Sequence, residues 1–321
     1  MRLGPRTPRT ALLAAALSTG LVLTGCGDGD GASTAAGGDA TYTIGFVNGN
    51  NTEFHTCLQG AIEREAEKLD VELLTANSTQ DAGKELNNIE DMISRGVDAV
   101  IVQTVNVDAL EADVAKAKAA GVPIFLTSVL LEDMDDVLGA SVVPLAEVGK
   151  MDAELVARDA GGEDVQVGVI AGAPGAASDV MVGGFTDNLP ENAEVVANQP
   201  GMFNPAKAQE VAENMIQSHP GLDYVFVANE EMAFGALNAF QAAKADVKIV
   251  TSNGTERGVE AVGDGTFLGT VSNPAALTGA NALATTVKLL DGDESAEKIA
   301  RTPLAMVTRE TAADAPEYCH E

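Results

Sequence analysis

The chain carries nearly the same message twice, in apolar runs set about 125 residues apart. The first half holds IGFV from Ile44, DAVIVQT from Asp98 and VPIFLTS from Val122. The second holds VGVI from Val167, DYVFVAN from Asp223 and VKIVTSN from Val247. The offsets are 123, 125 and 125 residues. None of these runs alternates apolar with polar residues, so none reads as a strand with one wet face. They have the pattern of parallel strands covered by helices on both sides. Helix-like stretches separate them, which makes each half a β-α-β-α winding. The expected fold is therefore α/β, with two doubly wound parallel-sheet domains facing each other across a cleft. Open α/β sheets bind ligands beyond the carboxyl ends of their strands, so the residues that close these runs are the candidate contacts.

With 321 residues there is room for two cores. The N-terminus reads separately. Arg2, Arg6 and Arg9 precede the apolar run ALLAAALSTGLVLTG, and Leu23-Thr24-Gly25 stands before Cys26. A charged start, a short apolar stretch and small residues before a cysteine have the layout of a bacterial lipoprotein signal over residues 1–25. The run is shorter than the roughly 20 residues that a spanning helix needs. Cleavage before Cys26 would leave its thiol to carry lipid and would anchor the protein on the outer side of the cell membrane. Residues 26–40, rich in Gly, Asp, Ala, Ser and Thr, read as a flexible tether.

Losing residues 1–25 removes three arginines and no acid, which takes the formal net charge from −29 to −32. Nucleic-acid phosphates need clustered Lys and Arg, and the chain has no such cluster, so nucleic acid is not an expected partner. The acidity serves solubility. Cys57 and Cys319 form one disulfide in an oxidising compartment or stay as two unpaired thiols, and the sequence leaves both readings open. The histidines are His55, His219 and His320, and no G-x-S-x-G elbow closes a strand, which argues against a hydrolase. The glycines at Gly172 and Gly183 lack the lysine of a phosphate loop. No His, Cys or acidic pair has zinc-ligand spacing, and Glu230-Glu231 reads as the acidic start of a helix. No enzyme, metal or cofactor is expected.

Amides and hydroxyls close the strands instead: Asn48, Asn50, Asn51, Gln103, Thr104, Ser128, Asn204, Asn229, Asn253 and Asn273. An amide donates and accepts at once, as does a sugar hydroxyl. Phe54 and Phe203 add apolar faces for the C–H surface of a sugar or polyol, and His55 stands beside them. Asn50 and Asn106 have the look of turn or cap residues. Among the helices, periodicity and breakers place one at about 57–69 after a loop NGNNTEFH. Others fall at 148–160, 183–188, 232–243 and 274–290. LAMVT is a last strand.

The segments GVDAVIV, GVPIF, NEEMAFGALNAF from Asn229, NGT at Asn253 and DGTFLGTVSNP from Asp264 carry a resemblance. Over residues 42–309 the chain resembles the ribose-type, type I periplasmic sugar-binding proteins of ABC transporters. That resemblance implies two lobes joined by three hinge crossings, near 140–145, 273–274 and 303–304, which close on a ligand and deliver it to a membrane permease. It divides the chain into 41–142 with 274–303, 143–273 with 304–309, and a tail over 310–321. Carried over residue by residue, the family's first-loop amide and aromatic fall on Asn51 and Phe54. Its second-domain aromatic falls on Phe203 and two further amides on Asn229 and Asn273. Ser128-Val129 stands where relatives carry Asp-Arg, Met181 where they carry arginine, and Ser252-Asn253-Gly254-Thr255 where they read F-D-G-T. Glu53 takes a position usually aromatic and is expected to replace one lost carboxylate from the opposite wall.

Those departures remove charged partners of sugar hydroxyl pairs. The expected ligand is a neutral small sugar or polyol, smaller or more linear than a common pyranose. Its expected contacts are Asn51, Glu53, Phe54, His55, Gln103, Ser128, Phe203, Asn229, Asn253 and Asn273. The expected function is a monomeric solute receptor for import. A receptor presenting a sugar-like signal to a membrane sensor is the alternative on the same fold. A lactose-repressor-like regulator needs a helix-turn-helix where this chain has an export signal.

Overall fold

The computed structural model describes residues 42–175 and 177–319. The signal segment, Cys26, the tether and His320 lie outside the described residues. The first six-stranded sheet is formed by β1 (Tyr42–Asn48), β2 (Val71–Asn77), β3 (Ala99–Val102), β4 (Ile124–Ser128), β5 (Gly139–Val142) and β11 (Ile299–Arg301). Its order is β11-β5-β4-β3-β1-β2, with every neighbour parallel. The second is formed by β6 (Val165–Ala171), β7 (Ala193–Pro200), β8 (Tyr224–Val227), β9 (Lys248–Asn253), β10 (Gly269–Ser272) and β12 (Ala305–Val307). Its order is β12-β10-β9-β8-β6-β7, and only β12 runs antiparallel.

The runs repeated in the sequence are the inner strands of these sheets. Ile44, Val100 and Phe125 in the first sheet, and Val169, Phe226 and Val250 in the second, are all 0% exposed. Such burial on both faces explains why the runs do not alternate. Helices α1 (Glu53–Lys68), α2 (Ala82–Ser94), α3 (Val107–Ala120) and α9 (Ala275–Leu290) serve the first sheet. Helices α4 (Leu145–Ala160), α5 (Ala177–Thr186), α6 (Pro205–Ser218), α7 (Glu230–Ala243) and α8 (Glu256–Asp264) serve the second. The chain passes between the sheets after β5, after β10 and between β11 and β12.

Several helices start earlier than their apolar periodicity indicates. α1 begins at Glu53, not near Cys57, because Thr52 takes an extended cap conformation and its carbonyl accepts from Thr56 N at 3.0 Å. α5 begins at Ala177 and takes in residues that read as a turn. Its stability comes from contact with α4, where the two backbones nearly touch. A Cβ on Gly149 would lie 2.0 Å from the Met181 carbonyl oxygen, and one on Gly184 would lie 2.1 Å from that of Ala146. Strand β11, three residues at the sheet edge, had no sequence signal. After β12 a short 3-10 turn (Ala312–Asp314) rests near α8, and Cys319 is joined to Cys57 by a disulfide with a Cα–Cα distance of 5.6 Å.

The glycine pair in α5 gives a test of this packing. Gly183 has open space around it while Gly184 faces α4. Gly183→Ala should stabilise by about 0.5–1 kcal/mol, the usual gain from removing a helix-interior glycine. Gly184→Ala should destabilise by about 1–3 kcal/mol through overpacking against backbone. Urea unfolding of the two variants checks this, and shifts of the same sign would remove the close α4–α5 contact from the account.

Candidate functional site

The carboxyl ends of both sheets face one cavity of about 310 Å³. The first lobe supplies Thr52, Phe54 and His55 around the start of α1, Gln80 from the turn after β2, Gln103 and Thr104 after β3, and Ser128 at the end of β4. The second supplies Met181 of α5, Met202 and Phe203 before α6, Asn229 before α7, and Ser252 and Asn253 at the end of β9. Asn273 lines it from the second crossing.

Backbone strain is concentrated here. Of the eight non-glycine residues with positive φ among those described, Gln80, Ser128, Met202, Phe203 and Asn253 line the cavity. A non-glycine residue in this region costs on the order of 1–2 kcal/mol, and surrounding structure must hold it. Phe203 shows how. Its ring lies against the backbone of Gly172, where a Cβ would come within 2.1 Å of Cζ. Glycine at 172 therefore makes room for the apolar face, and the Met202-Phe203 turn delivers it.

The protein holds the amides to different extents: Gln103 through its oxygen, Asn229 and Asn253 at both ends. Gln103 Oε1 accepts from Ser128 Oγ at 2.9 Å and from Thr127 Oγ1, so its Nε2 remains to donate. Asn229 Oδ1 caps α7 by accepting from Met232 N at 3.0 Å. Asn253 Oδ1 accepts from Glu230 N, and its Nδ2 donates to the Tyr318 hydroxyl, both at 3.2 Å. Asn273 Oδ1 is buried without a hydrogen-bond partner. An orphaned buried acceptor costs about 1–3 kcal/mol, a cost that a donor on a ligand would remove.

Among the described residues that line the cavity, none is Asp, Glu, Lys or Arg. Burial lowers the His55 pKa to about 4, so the ring is neutral at ordinary pH, with Nδ1 2.7 Å from Thr52 Oγ1. Among the described residues no three His, Cys, Asp or Glu side chains gather as a metal site.

Two sequence candidates stand elsewhere. Asn51 is exposed, with its Oδ1 accepting from Asn77 Nδ2 at 2.9 Å. Glu53 is exposed and does not line the cavity, although Phe54 and His55 of the same helical turn do. Its backbone N–H donates to the Glu231 carboxylate. Partial burial first, then Glu230 and Glu231, push its carboxyl pKa up, while Arg257 opposes them. Asn204 is an exposed cap of α6 that accepts from Lys207 N. Gln80 and Met202, absent from the sequence candidates, line the cavity from turns. The glycine and proline around GMFNP were the one available signal for Met202. Gln80 Nε2 donates to the Met202 carbonyl at 3.5 Å and Val107 N to that of Gly175 at 3.3 Å, so the lobes also meet across the rim.

Two α/β lobes closed on a neutral, amide-lined cavity define a protein that encloses a small ligand. The periplasmic binding protein domain family matches residues 44–294, and the chain belongs to that family. It is 29% identical over 278 residues to the ribose import binding protein RbsB of Bacillus subtilis, covering 85% of this chain and 90% of that one. It is 31% identical over 270 residues to the xylitol-binding protein of Mycolicibacterium smegmatis, covering 82% of this chain and 75% of that one. Among solved structures, an ABC transporter solute-binding protein from Bacillus halodurans with bound myo-inositol superposes with a TM-score of 0.80 at 26% identity. The match covers 87% of this chain and 98% of that one. These relatives support the resemblance to ribose-type binders, and the chain is a binding protein and not an enzyme.

The half-buried His55 makes stability depend on pH in a stated window. Its pKa is about 4 when folded and 6.5 when unfolded, so between these values the unfolded chain holds the extra proton. Its contribution is therefore present above about 6.5 and is lost as pH falls toward 4. His55→Gln should shrink the stability lost between pH 7 and 4.5 by about 1–3 kcal/mol. Urea titrations at each pH measure this, and equal losses in both proteins would mean that the folded ring is protonated.

Proposed function

We propose that this protein is the lipid-anchored, extracytoplasmic solute-binding component of an ABC importer. It captures a neutral small sugar or polyol between its lobes and delivers it to the permease. The observation that carries the ligand class is the lining: amides and hydroxyls with apolar faces and no formal charge. Neutral polyhydroxylated solutes match it, because each hydroxyl can pair with an amide that both donates and accepts. The relatives named for ribose and xylitol, and the structure holding myo-inositol, support the same class. The proposed contacts are Phe54, His55, Gln103, Ser128, Phe203, Asn229, Asn253 and Asn273. Phe54 and Phe203 face the C–H surface, and the amides and Ser128 take the hydroxyls.

A thermal-shift screen tests this with D-ribose, xylitol, myo-inositol and glycerol against the charged controls ribose 5-phosphate and gluconate. Ligand at about 100 times its Kd stabilises the native state by roughly 2.7 kcal/mol, enough to raise the midpoint clearly. At least one neutral compound should do so and the charged ones should not. Asn273→Ala should not lower the ligand-free midpoint, because it removes an unsatisfied acceptor, and should weaken binding of that compound about tenfold, since only the complex uses that oxygen. A shift produced only by the charged controls would refute the ligand class.

The anchor reading rests on the sequence LTGC ending at Cys26. In a bacterial host the wild-type protein should partition with membranes and carry an acylated Cys26 by mass spectrometry. Cys26→Ala should appear in the soluble extracytoplasmic fraction. A membrane fraction that retains both proteins equally would remove the lipid from the account.

A further inference from the structure

The C-terminal segment returns from the second lobe to the first, apart from the three crossings of the fold. It leaves β12 in the second sheet and makes its 3-10 turn near α8. It then ends in the disulfide between Cys319 and Cys57 of α1. Tyr318, next to that disulfide, is 4% exposed. Its ring packs with Phe54, Ala61, Ala275 and Ala276, and its carbonyl accepts from Ala276 N at 3.2 Å. All of these are first-lobe elements. Its hydroxyl reaches the other lobe, where it accepts from Asn253 Nδ2 at 3.2 Å.

Asn253 is thereby held at both ends of its amide, since its Oδ1 already accepts from Glu230 N. The remaining Nδ2 proton and Oδ1 lone pair have their directions fixed before any ligand arrives. Preorganisation of this kind strengthens binding by removing the cost of ordering the side chain. A chain terminus frays unless it is tied down, and the disulfide ties this one. We propose that Tyr318 is a positioning residue for the cleft, acting through Asn253. We further propose that the Cys57–Cys319 disulfide makes the C-terminal segment a fourth, covalently fastened connection between the lobes.

The test has one arm that needs no ligand. Hydrogen exchange is followed by mass spectrometry in the full-length wild type, in Tyr318→Phe and in the double variant Cys57→Ser/Cys319→Ser. Tyr318→Phe keeps the ring and loses the hydroxyl. It should speed exchange at the Glu230 amide about tenfold and leave Ala276 protected. The double variant should speed both. Peptides from β3 and β8 should stay within a factor of two in every protein, as roughly expected for core strands whose opening is global. Unchanged exchange at Glu230 in Tyr318→Phe overturns the proposal. So does faster exchange in β3 and β8 of that variant, which would make Tyr318 a general support of the fold. If the double variant fails to fold, Tyr318→Phe still decides the positioning role, and limited proteolysis after residue 314 of the wild type, with and without reductant, decides the fastening. Release of the tail only after reduction supports it, and release without reductant overturns it.

The second arm rests on the proposed function. D-ribose, xylitol and myo-inositol are titrated as probes into wild type, Tyr318→Phe, Asn253→Ala and the combined variant. Tyr318→Phe should weaken the probe that binds about fivefold, and this loss should vanish in the Asn253→Ala background because one residue acts through the other. Additive losses overturn the positioning role. If none of the probes binds wild type, the proposed ligand class falls, and the exchange arm still decides this inference.

Discussion

Glu230 is 1% exposed, and its carboxylate accepts from the backbone N–H groups of Gly254 and Thr255, at 2.8 and 3.0 Å, and from the hydroxyls of Thr255 and Thr270. One side chain thus joins the start of α7, the turn after β9, the cap of α8 and strand β10. Burial pushes its pKa up, and the donors from Thr255, Thr270 and Gly254 push back. Hydrogen bonds to an ionised acceptor are the strong kind, and removing it would orphan four buried donors at about 1–3 kcal/mol each. There is no slack around it. A Cβ on Gly258 would lie 2.1 Å from the Glu230 Cδ. The two amides of the second-lobe wall depend on this node, because Asn229 precedes Glu230 in the chain and Asn253 Oδ1 receives its N–H.

The first lobe repeats the device with different parts. Glu85, 0% exposed, accepts from Thr104 Oγ1 and Val105 N, both at 2.7 Å, directly behind the wall residues Gln103 and Thr104. Burial raises its pKa to about 7, and burial likewise raises that of the nearby Asp113 to about 6. A carboxyl whose folded pKa lies above its unfolded value contributes stability that is fully present below about 4.5 and is lost as pH rises through about 7. That is the opposite sign to His55 over much of the same range. The cleft is therefore backed by groups whose titrations partly cancel, and the net pH slope of the protein is no guide to any one of them.

The sheets were legible in the sequence because a strand buried on both faces leaves a local mark, a short unbroken apolar run. Strand ends were legible for the same reason, and with them Gln103, Ser128, Asn229, Asn253 and Asn273. What the sequence hid was set by long-range contact. Glu230 reads as an acid at a helix N-terminus, and nothing local distinguishes it from exposed Glu256 at the start of α8. Its burial follows from Thr255 and Thr270, residues 25 and 40 positions away. α5 is a run of small residues whose helix depends on the face of α4. Tyr318 sits in a tail without periodicity, placed by the disulfide of its neighbour Cys319 to a cysteine 262 residues away from that neighbour. The start of α1 was hidden for a smaller reason: its first turn, EFHT, carries a single apolar residue, so the periodicity begins a turn late.

The neutrality of the cavity is a collective property, which bears on the three positions where the resemblance to sugar-binding proteins implies charged residues. Ser128 is engaged with Gln103, Met181 is buried against Ser252, and Asn253 is shared between Glu230 and Tyr318. A carboxylate at 253 would turn both amide ends into acceptors and lose the donor that Tyr318 now receives. A guanidinium at 181 would face a lining without an acid to pair it, and a buried unpaired charge is far costlier than the hydrogen bonds it could make. The charges near the cleft stand at its mouth instead, on Glu53, Glu231 and Arg257. Under the proposed function, a neutral solute would enter without stripping water from an ion, and its affinity would rest on hydrogen bonds that count only when water is excluded. Contacts between the lobes that end on backbone carbonyls, from Val107 N to Gly175 and from Gln80 Nε2 to Met202, suit that need. They form between the lobes whatever hydroxyl pattern the cavity holds.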